Sequence, residues 1–585
     1  MLLFGGGTPI LPQETLSVKA PGDATVPLWQ ARAVPSFSRD ASFHELATRA
    51  FDVLVIGGGM TGTGIAVDAA ARGLSVALVE RDDFASGTSS KSSKMVHGGL
   101  RYLQQKEFGL VYENLHERQR LLRNAPHLVS PLPFLIPLFG KDGMVSKTVA
   151  RAYKSALWLY DLTGGWRIGK RHRNIDRREV VEHFPNLDVS GLVAGFVYYD
   201  ARGDDARVAL TLARTAADHG AVVANYAKAT SFLHDAAGRV TGALITPCAP
   251  GDSRAPIEVS ARVVVNAAGV WADEVAWLEE GVSEQTISPA KGVHISVPAD
   301  RLPCDIAAVI PVPKDKRSIF VVPWYESPYT FLGTTDTSYD GPLDDPRCEA
   351  EDVDYLLDAI NALTSAKLTR ADVTGVWAGL RPLIKPATGK KVSARTADLS
   401  RRHKVETSAE GVVLVTGGKW TTYRKMAEDA VDEVGRQLPG TAKCPTRSLP
   451  LHGSPGKRAV PVPGVADSLA THLANRYGTD APAVAALITA DTSLANPIAE
   501  TLPYIGAEVI WAIRNEMAMT LEDVLSRRTR AHLQNARATA AAAERVADLM
   551  AAELGWDVAM RDAQVDHLVG LIASEAASAG LPGFD

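Results

Sequence analysis

The first clear pattern along the chain is a buried strand. Phe51-Asp-Val-Leu-Val-Ile56 is a nearly unbroken apolar run that stops at glycines. Small residues over 63–72 then suit a helix packed close to its neighbours. Leu74-Ser-Val-Ala-Leu-Val79 repeats the strand pattern and ends at Glu80. Apolar positions three and four apart predict helices over 108–122, 149–162 and 207–218. Shorter strand signals fall at 221–227, 240–246 and 262–265. The runs 318–324 and 329–333 read as paired strands of a second, more antiparallel sheet, and 354–363 is helical. A buried strand at 412–415 runs into Gly417-Gly418, and a long helix begins at Thr421 or Thr422. Beyond 463 the pattern is helical throughout, including alanine-rich 537–554. Thr520-Leu-Glu-Asp523 forms a capping box with Asp in the acidic position. Residues 1–48 carry Gly5-Gly6-Gly7 and several prolines without periodicity, and read as an extended arm.

The length of 585 residues exceeds one ordinary core, so two or three domains are expected. Hydrophobic residues make up 46 % and charged residues 22 %, as in soluble proteins. A net charge of −5 argues against general nucleic-acid binding. Cys248, Cys304, Cys348 and Cys444 are scattered with no CxxC pair, so neither a metal site nor a close redox dithiol is expected, and a reducing cytosol fits. No apolar run approaches the roughly 20 residues of a spanning helix. The N-terminus lacks a charged segment followed by an apolar one. The protein is expected to be soluble or to lie on a membrane surface.

Chemistry enters at Gly57-Gly58-Gly59-Met60-Thr61-Gly62, a GxGxxG set between a strand and a helix, with Glu80 ending the next strand. Gly57 permits the tight turn, Gly59 lets a pyrophosphate approach the backbone, and Gly62 lets the helix pack on the strand. Unpaired N–H groups at the helix start, with Met60 and Thr61, suit the phosphates. Glu80 suits the ribose hydroxyls and disfavours a 2′-phosphate. Two features favour FAD over NAD. Thr88, Ser89, Ser90, Ser92, Ser93 and Lys94 form a hydroxyl-dense segment after the fingerprint. A second strand–Gly-Gly–helix turn at 414–422 could aim another helix start at the flavin ring. Read alone, the serines also suit a solvated loop.

From the fingerprint onward the chain resembles the FAD-dependent glycerol-3-phosphate dehydrogenases. Ser92-Ser-Lys-Met-Val-His-Gly-Gly-Leu-Arg-Tyr102 and Gly417-Gly-Lys-Trp-Thr-Thr-Tyr-Arg-Lys425 look like that family's two long signatures. Lys291-Gly-Val-His294, Gly333-Thr-Thr-Asp336, Gly379-Leu-Arg-Pro382, Asn266-Ala-Ala-Gly269 and Leu525-Ser-Arg-Arg-Thr529 fall in family order. The resemblance spans about 50–550; the arm has no counterpart. It implies an α/β fold: a glutathione-reductase-like FAD-binding Rossmann domain with an interleaved antiparallel-sheet substrate cap, then an all-helical C-terminal domain. The expected parts are an arm at 1–48, the FAD domain with its discontinuous cap at 49–440, a Pro/Gly/Ser-rich linker at 441–463 and a helical domain at 464–585.

The resemblance also implies a reaction, oxidation of sn-glycerol 3-phosphate to dihydroxyacetone phosphate by hydride transfer to FAD, with electrons passing to membrane quinone. Further cofactor contacts are expected from His97, Gly98, Gly99, Ala227, Ala268, Gly269, Gly418, Lys419 and Thr421. Arg101, Tyr102, Thr335, Arg381, Arg401 and Lys419 are expected to bind substrate; Arg402 rivals Arg401. His294 is the preferred general base, with Arg381 assisting, because a histidine near neutrality suits removal of a hydroxyl proton. A basic and aromatic stretch at 141–173 suits anionic lipid, placing the enzyme peripherally on the inner face of the plasma membrane; a solvated helix is the plainer reading. A homodimer is open. A peroxide-forming glycerol-3-phosphate oxidase and a non-catalytic flavin-binding regulator are the competing functions.

Overall fold

The computed structural model describes residues 37–100, 107–140, 147–162, 164–280, 285–312, 317–385 and 402–584. The strand Phe51–Ile56 lies at the centre of the first sheet. Val76–Val79 and then Val222–Ala224 lie on one flank, and Ile257–Asn266 and then Val413–Gly417 on the other, all parallel. The edge strand His403–Thr407 runs antiparallel. Period-two alternation sends Val53 and Val55 to one face and Leu54 and Ile56 to the other. Both faces are covered, as a parallel sheet requires. Helices Met60–Ala71, Asp205–Asp218 and Tyr423–Gln437 pack on the first face. The hairpin Ala227–His234/Val240–Pro247 and the helix Arg39–Thr48 pack on the second.

That last helix corrects the expected extended arm for residues 39–48. Its apolar contacts come from Phe43 and Leu46 alone, with the Arg39 Nε–H donating to the Asn225 carbonyl at 3.1 Å. Two apolar positions are too few to register a period. Residues 1–36 lie outside the described part.

The second sheet is mostly antiparallel. Its central members are Ile287–Pro298, Tyr329–Gly333, Ser318–Pro323, Ala307–Pro311, Val129–Phe139 and Leu192–Gly203 in spatial order, with Gly375–Ile384 also paired to Ile287–Pro298. The expected pairing of Ser318–Pro323 with Tyr329–Gly333 is present. Val129–Phe139 accommodates Pro131, Pro133 and Pro137 because they share one parity, so their missing N–H groups fall on one edge. Along the chain, strands of the two sheets alternate, which brings loops from both to one cleft.

The C-terminal region packs five long helices, Asp467–Tyr477, Ala481–Ala490, Gly506–Glu516, Ala536–Leu554 and Val558–Ser578. The capping box at Thr520 forms: the Asp523 N–H donates to Thr520 Oγ1 at 3.1 Å, and the Thr520 N–H to Asp523 Oδ2 at 3.1 Å. The chain then passes into a wider π-helical turn, Asp523–Thr529. Among the described residues no helix is long and apolar enough to cross a membrane.

Candidate active site

The fingerprint turn is built by steric exclusion. Gly57 has φ +114°, and a Cβ there would meet the Ala267 carbonyl oxygen at 2.6 Å. A Cβ on Gly62 would meet the Gly57 carbonyl oxygen at 1.9 Å. Gly62 is therefore a packing residue and does not line the cleft. Gly59 caps the following helix without a side-chain bond. The Met60 N–H donates to Ser89 Oγ at 2.8 Å, which ties the hydroxyl segment to the helix start. The Glu80 carboxylate accepts from the Gly58 N–H at 2.6 Å and the Asp82 N–H at 2.9 Å. Burial outweighs those bonds and pushes the Glu80 carboxyl up to about 7.

Loops from both sheets enclose a cavity of about 1310 Å³. Gly57, Gly59, Met60, Thr61, Glu80, Thr88, Ser89, Ser92, Ser93, His97, Gly99, Ala227, Ala268, Gly269, Gly418, Lys419 and Thr421 line it, together with His294 and Arg381. The sequence-selected residues thus converge on one place. Ser90, Lys94, Gly98 and Thr335 are exceptions, standing behind the wall. Lys94 is buried, with Nζ 3.3 Å from Asp205 Oδ1, and burial followed by Arg530 lowers it to about 8. The Ser90 carbonyl accepts from Lys94 Nζ at 3.1 Å. The Gly98 N–H donates to Tyr160 Oη at 3.0 Å, and Thr335 Oγ1 accepts from the Val293 N–H at 3.0 Å. Arg101, Tyr102 and Arg401 lie outside the described residues. Arg402 pairs with Glu107 at 2.8 Å on the exterior.

The chemistry gathers on the strands Ile287–Pro298 and Gly375–Ile384, whose register sets Ala290 opposite Arg381 and His294 opposite Trp377. The His294 ring stacks on Trp377 with centroids 4.9 Å apart, and its Nε2 lies 2.7 Å from Ser93 Oγ. Burial, then the cations Lys94 and Arg381, hold its pKa well below the ordinary value. His294 is therefore neutral at physiological pH. Four bonds help to fix Arg381 among the described residues. Nη1 donates to Asp336 Oδ1 at 3.2 Å and the Lys291 carbonyl at 3.3 Å; Nη2 donates to Thr334 Oγ1 at 3.1 Å and the Thr335 carbonyl at 3.2 Å.

Sequence reasoning missed Arg317, Trp271, Thr334 and Asp336, all of which line the cavity. Thr334 and Asp336 flank the one residue selected from Gly333-Thr-Thr-Asp336. Trp271 follows the Asn266-Ala-Ala-Gly269 segment. Arg317 has no local motif; only the register of the next strand brings it in.

These residues fit an FAD. The volume exceeds the roughly 300–1,000 Å³ of ordinary small-molecule pockets and suits a dinucleotide with a small substrate. A helix start whose N-cap, Gly59, has no side chain leaves room for a phosphate at the backbone. Two buried polar atoms of the lining, Trp271 Nε1 and His294 Nδ1, have no hydrogen-bond partner among the described residues, a state that buried groups avoid unless a ligand or water completes them.

Residues 52–424 match the family of FAD dependent oxidoreductases, and residues 444–561 match the C-terminal domain of alpha-glycerophosphate oxidase. The chain is 40 % identical to glycerol-3-phosphate dehydrogenase 2 of Mycobacterium tuberculosis, over 95 % of this chain and 93 % of that one. It is 38 % identical to the mitochondrial glycerol-3-phosphate dehydrogenase of Homo sapiens, over 90 % and 74 %. The crystal structure of glycerol-3-phosphate dehydrogenase from Bacillus halodurans, complexed with FAD, superimposes with a TM-score of 0.72 at 30 % identity, covering 91 % of this chain and 97 % of that one. Fold and cleft together define an FAD-dependent oxidoreductase. Within that class, the chain belongs to the glycerol-3-phosphate dehydrogenase family.

Proposed function

We propose that the enzyme oxidises sn-glycerol 3-phosphate to dihydroxyacetone phosphate and passes the electrons to a membrane quinone. The observation that carries this reading is the convergence of neutral His294 with the cations Arg381 and Lys419 on one cleft. When bound, FAD supplies the acceptor for the hydride from C2. His294 takes the C2 hydroxyl proton, which its neutral ring can accept, while Ser93 fixes the ring through Nε2. Arg381 stabilises negative charge developing on that oxygen. Lys419 and Arg317, both on the cleft wall, offer positive charge to the phosphate dianion. Anaerobic titration with glycerol 3-phosphate should bleach the bound flavin stoichiometrically. An unbleached flavin would leave only the regulator reading. In air, peroxide formed at the turnover rate would favour the oxidase, which the match at 444–561 keeps in view.

Glu80 carries a prediction about the cofactor. Its carboxyl titrates near 7 in the free protein because it is desolvated. Ribose hydroxyls donating to it favour the ionised form. FAD binding is therefore coupled to proton loss, and affinity should rise with pH up to about 7, by up to about tenfold per unit. Quenching of FAD fluorescence by apoprotein between pH 5.5 and 8 measures this. Glu80→Gln should flatten the curve.

Electron exit to quinone needs contact with a membrane. Helices Phe108–Asn124 and Lys147–Leu162 share one core through Val111, Leu115, Leu157 and Tyr160. They leave Phe108, Tyr112, Trp158 and Leu162 exposed. Lys154, Lys170 and Arg171 are exposed nearby in sequence. Interfacial aromatics beside lysines and arginines support peripheral binding to the cytoplasmic face of an anionic bilayer. The enzyme should float with anionic liposomes in low salt and be released by high salt. Absence of flotation at any salt would remove the membrane part of the proposal.

A further inference from the structure

The C-terminal helices reach the cofactor loop through three buried arginines. Arg527, Arg528 and Arg530 are 6 %, 1 % and 1 % exposed, and all three point into the FAD-binding region. Arg528 grips Asp83 with both nitrogens, Nη1 to Oδ2 at 2.6 Å and Nη2 to Oδ1 at 2.7 Å. Arg527 Nε adds a bond to Asp83 Oδ2 at 2.7 Å. Asp83 stands three residues beyond Glu80, at the start of the loop 83–94. Arg530 holds the other end. Its Nη2 donates to Asp205 Oδ1 at 2.9 Å and also to the Ser90 carbonyl. Asp205 in turn accepts from Ser92 Oγ at 2.6 Å, the Ser92 N–H at 3.0 Å and Lys94 Nζ at 3.3 Å. Between the two anchors, Thr88, Ser89, Ser92 and Ser93 line the cavity.

Backbone strain marks the same junction. Of the six non-glycine residues with positive φ among the described residues, five lie here: Ala85, Lys94, Tyr226, Met517 and Arg530. Arg530 has φ 137° and directly follows the π-helical turn. Tyr226 donates from Oη to Asp523 Oδ1 at 2.7 Å, and the Met517 carbonyl accepts from Asn225 Nδ2 at 2.9 Å. Such conformations are unfavourable and persist only where the surroundings over-determine them, commonly at ligand clamps. Nor is burying paired charge an efficient route to stability alone.

We propose that the turn Asp523–Thr529 and Arg530 clamp the cofactor loop 83–94, so that FAD binding and docking of the C-terminal helices stabilise each other. Arg527, Arg528 and Arg530 are positioning residues. None of the three lines the cavity, but they set the ends of a loop that does. Coupling of this kind is reciprocal: what the clamp contributes to FAD affinity, FAD returns to the docking of the clamp. A lysine keeps the charge but loses the fork, so Arg530→Lys tests geometry and not net charge.

The test uses the full chain stripped of FAD. Fluorescence titration with FAD should give a Kd raised at least tenfold in Arg530→Lys and in Arg527→Lys. Arg514→Ala, which breaks the exposed Arg514–Glu553 pair within the same helical region, should bind FAD as the wild type does. In the wild type, FAD should slow amide exchange across 516–535, and Arg530→Lys should lose that protection. If the lysine variants fail to fold, the wild-type exchange measurement decides alone. An unchanged Kd in folded Arg530→Lys, an equal rise in Arg514→Ala, or wild-type exchange indifferent to FAD would overturn the clamp.

Discussion

His294→Gln is expected to lower the rate at which glycerol 3-phosphate reduces the bound flavin by about 10²–10⁴-fold, the usual contribution of a positioned base. FAD affinity should stay the same, because the ring reaches the cleft from the cap sheet and not from the fingerprint. Glutamine preserves much of the contact with Trp377 and can still bond Ser93, so the loss isolates proton acceptance from packing. The pH profile supplies an independent check. Burial, Lys94 and Arg381 all disfavour the imidazolium, so the neutral, proton-accepting form prevails at every pH above a value well below 6.5. The acid limb of kcat/KM that belongs to His294 should therefore fall under pH 6.5, not near 7. Lys94→Met removes the cation with the larger effect and should move that limb upward. A glutamine variant that reduces flavin within about threefold of the wild-type rate would take the base assignment away from His294.

The fingerprint unit was legible because its signals are local. Gly57 and Gly62 answer to clashes across one adjacent strand or within a few residues, and the apolar runs are short and bounded. The cap was harder. Leu192–Gly203, Ile287–Pro298 and Gly375–Ile384 are three of its longest strands, yet none shows clean alternation. Lys291 and His294 lie buried among their apolar neighbours, held by partners distant in sequence: Lys291 by Glu349 and Asp352, and His294, through Nε2 alone, by Ser93. A pattern-based reading sees polar residues there and stops the strand. Similar contacts explain why two of the selected residues do not line the cleft. Lys94 and Ser90 sit in the right segment, but loop geometry turns them inward to Asp205 and Arg530, while Ser89 and Ser93 face the cleft. Hydroxyl density predicts which segment borders the cleft; it carries no information on which side chains line it. Arg527 and Arg528 were legible only as part of a motif, and Arg530 not at all, since Asp83 and Asp205 lie more than 300 residues away.

Arg381→Lys should lower kcat/KM for glycerol 3-phosphate by roughly 10²–10³-fold, comparable to loss of one oxyanion-stabilising donor. Charge is retained, so a role as a general phosphate attractant would leave the variant nearly active. The reason for expecting otherwise is geometric. Both terminal nitrogens are engaged, by Asp336 and the Lys291 carbonyl on one side and by Thr334 and the Thr335 carbonyl on the other. A point-charge ammonium cannot hold that bidentate set, and it would settle against Asp336 alone. The pocket around the fork is equally specific: a Cβ on Gly292 would come within 2.4 Å of Arg381 Nη2. Gly292→Ala should therefore displace the guanidinium and reduce activity while every charge remains. The kinetic split separates the two possible roles. If Arg381 stabilises the oxygen only as it gains charge, the loss falls on kcat with KM little changed. If it mainly holds the substrate in the ground state, KM rises and kcat survives. The guanidinium lies against Lys291 and Gly292, on the strand that carries His294, which argues for the first outcome. Base and cation then act on the same hydroxyl from one pair of strands.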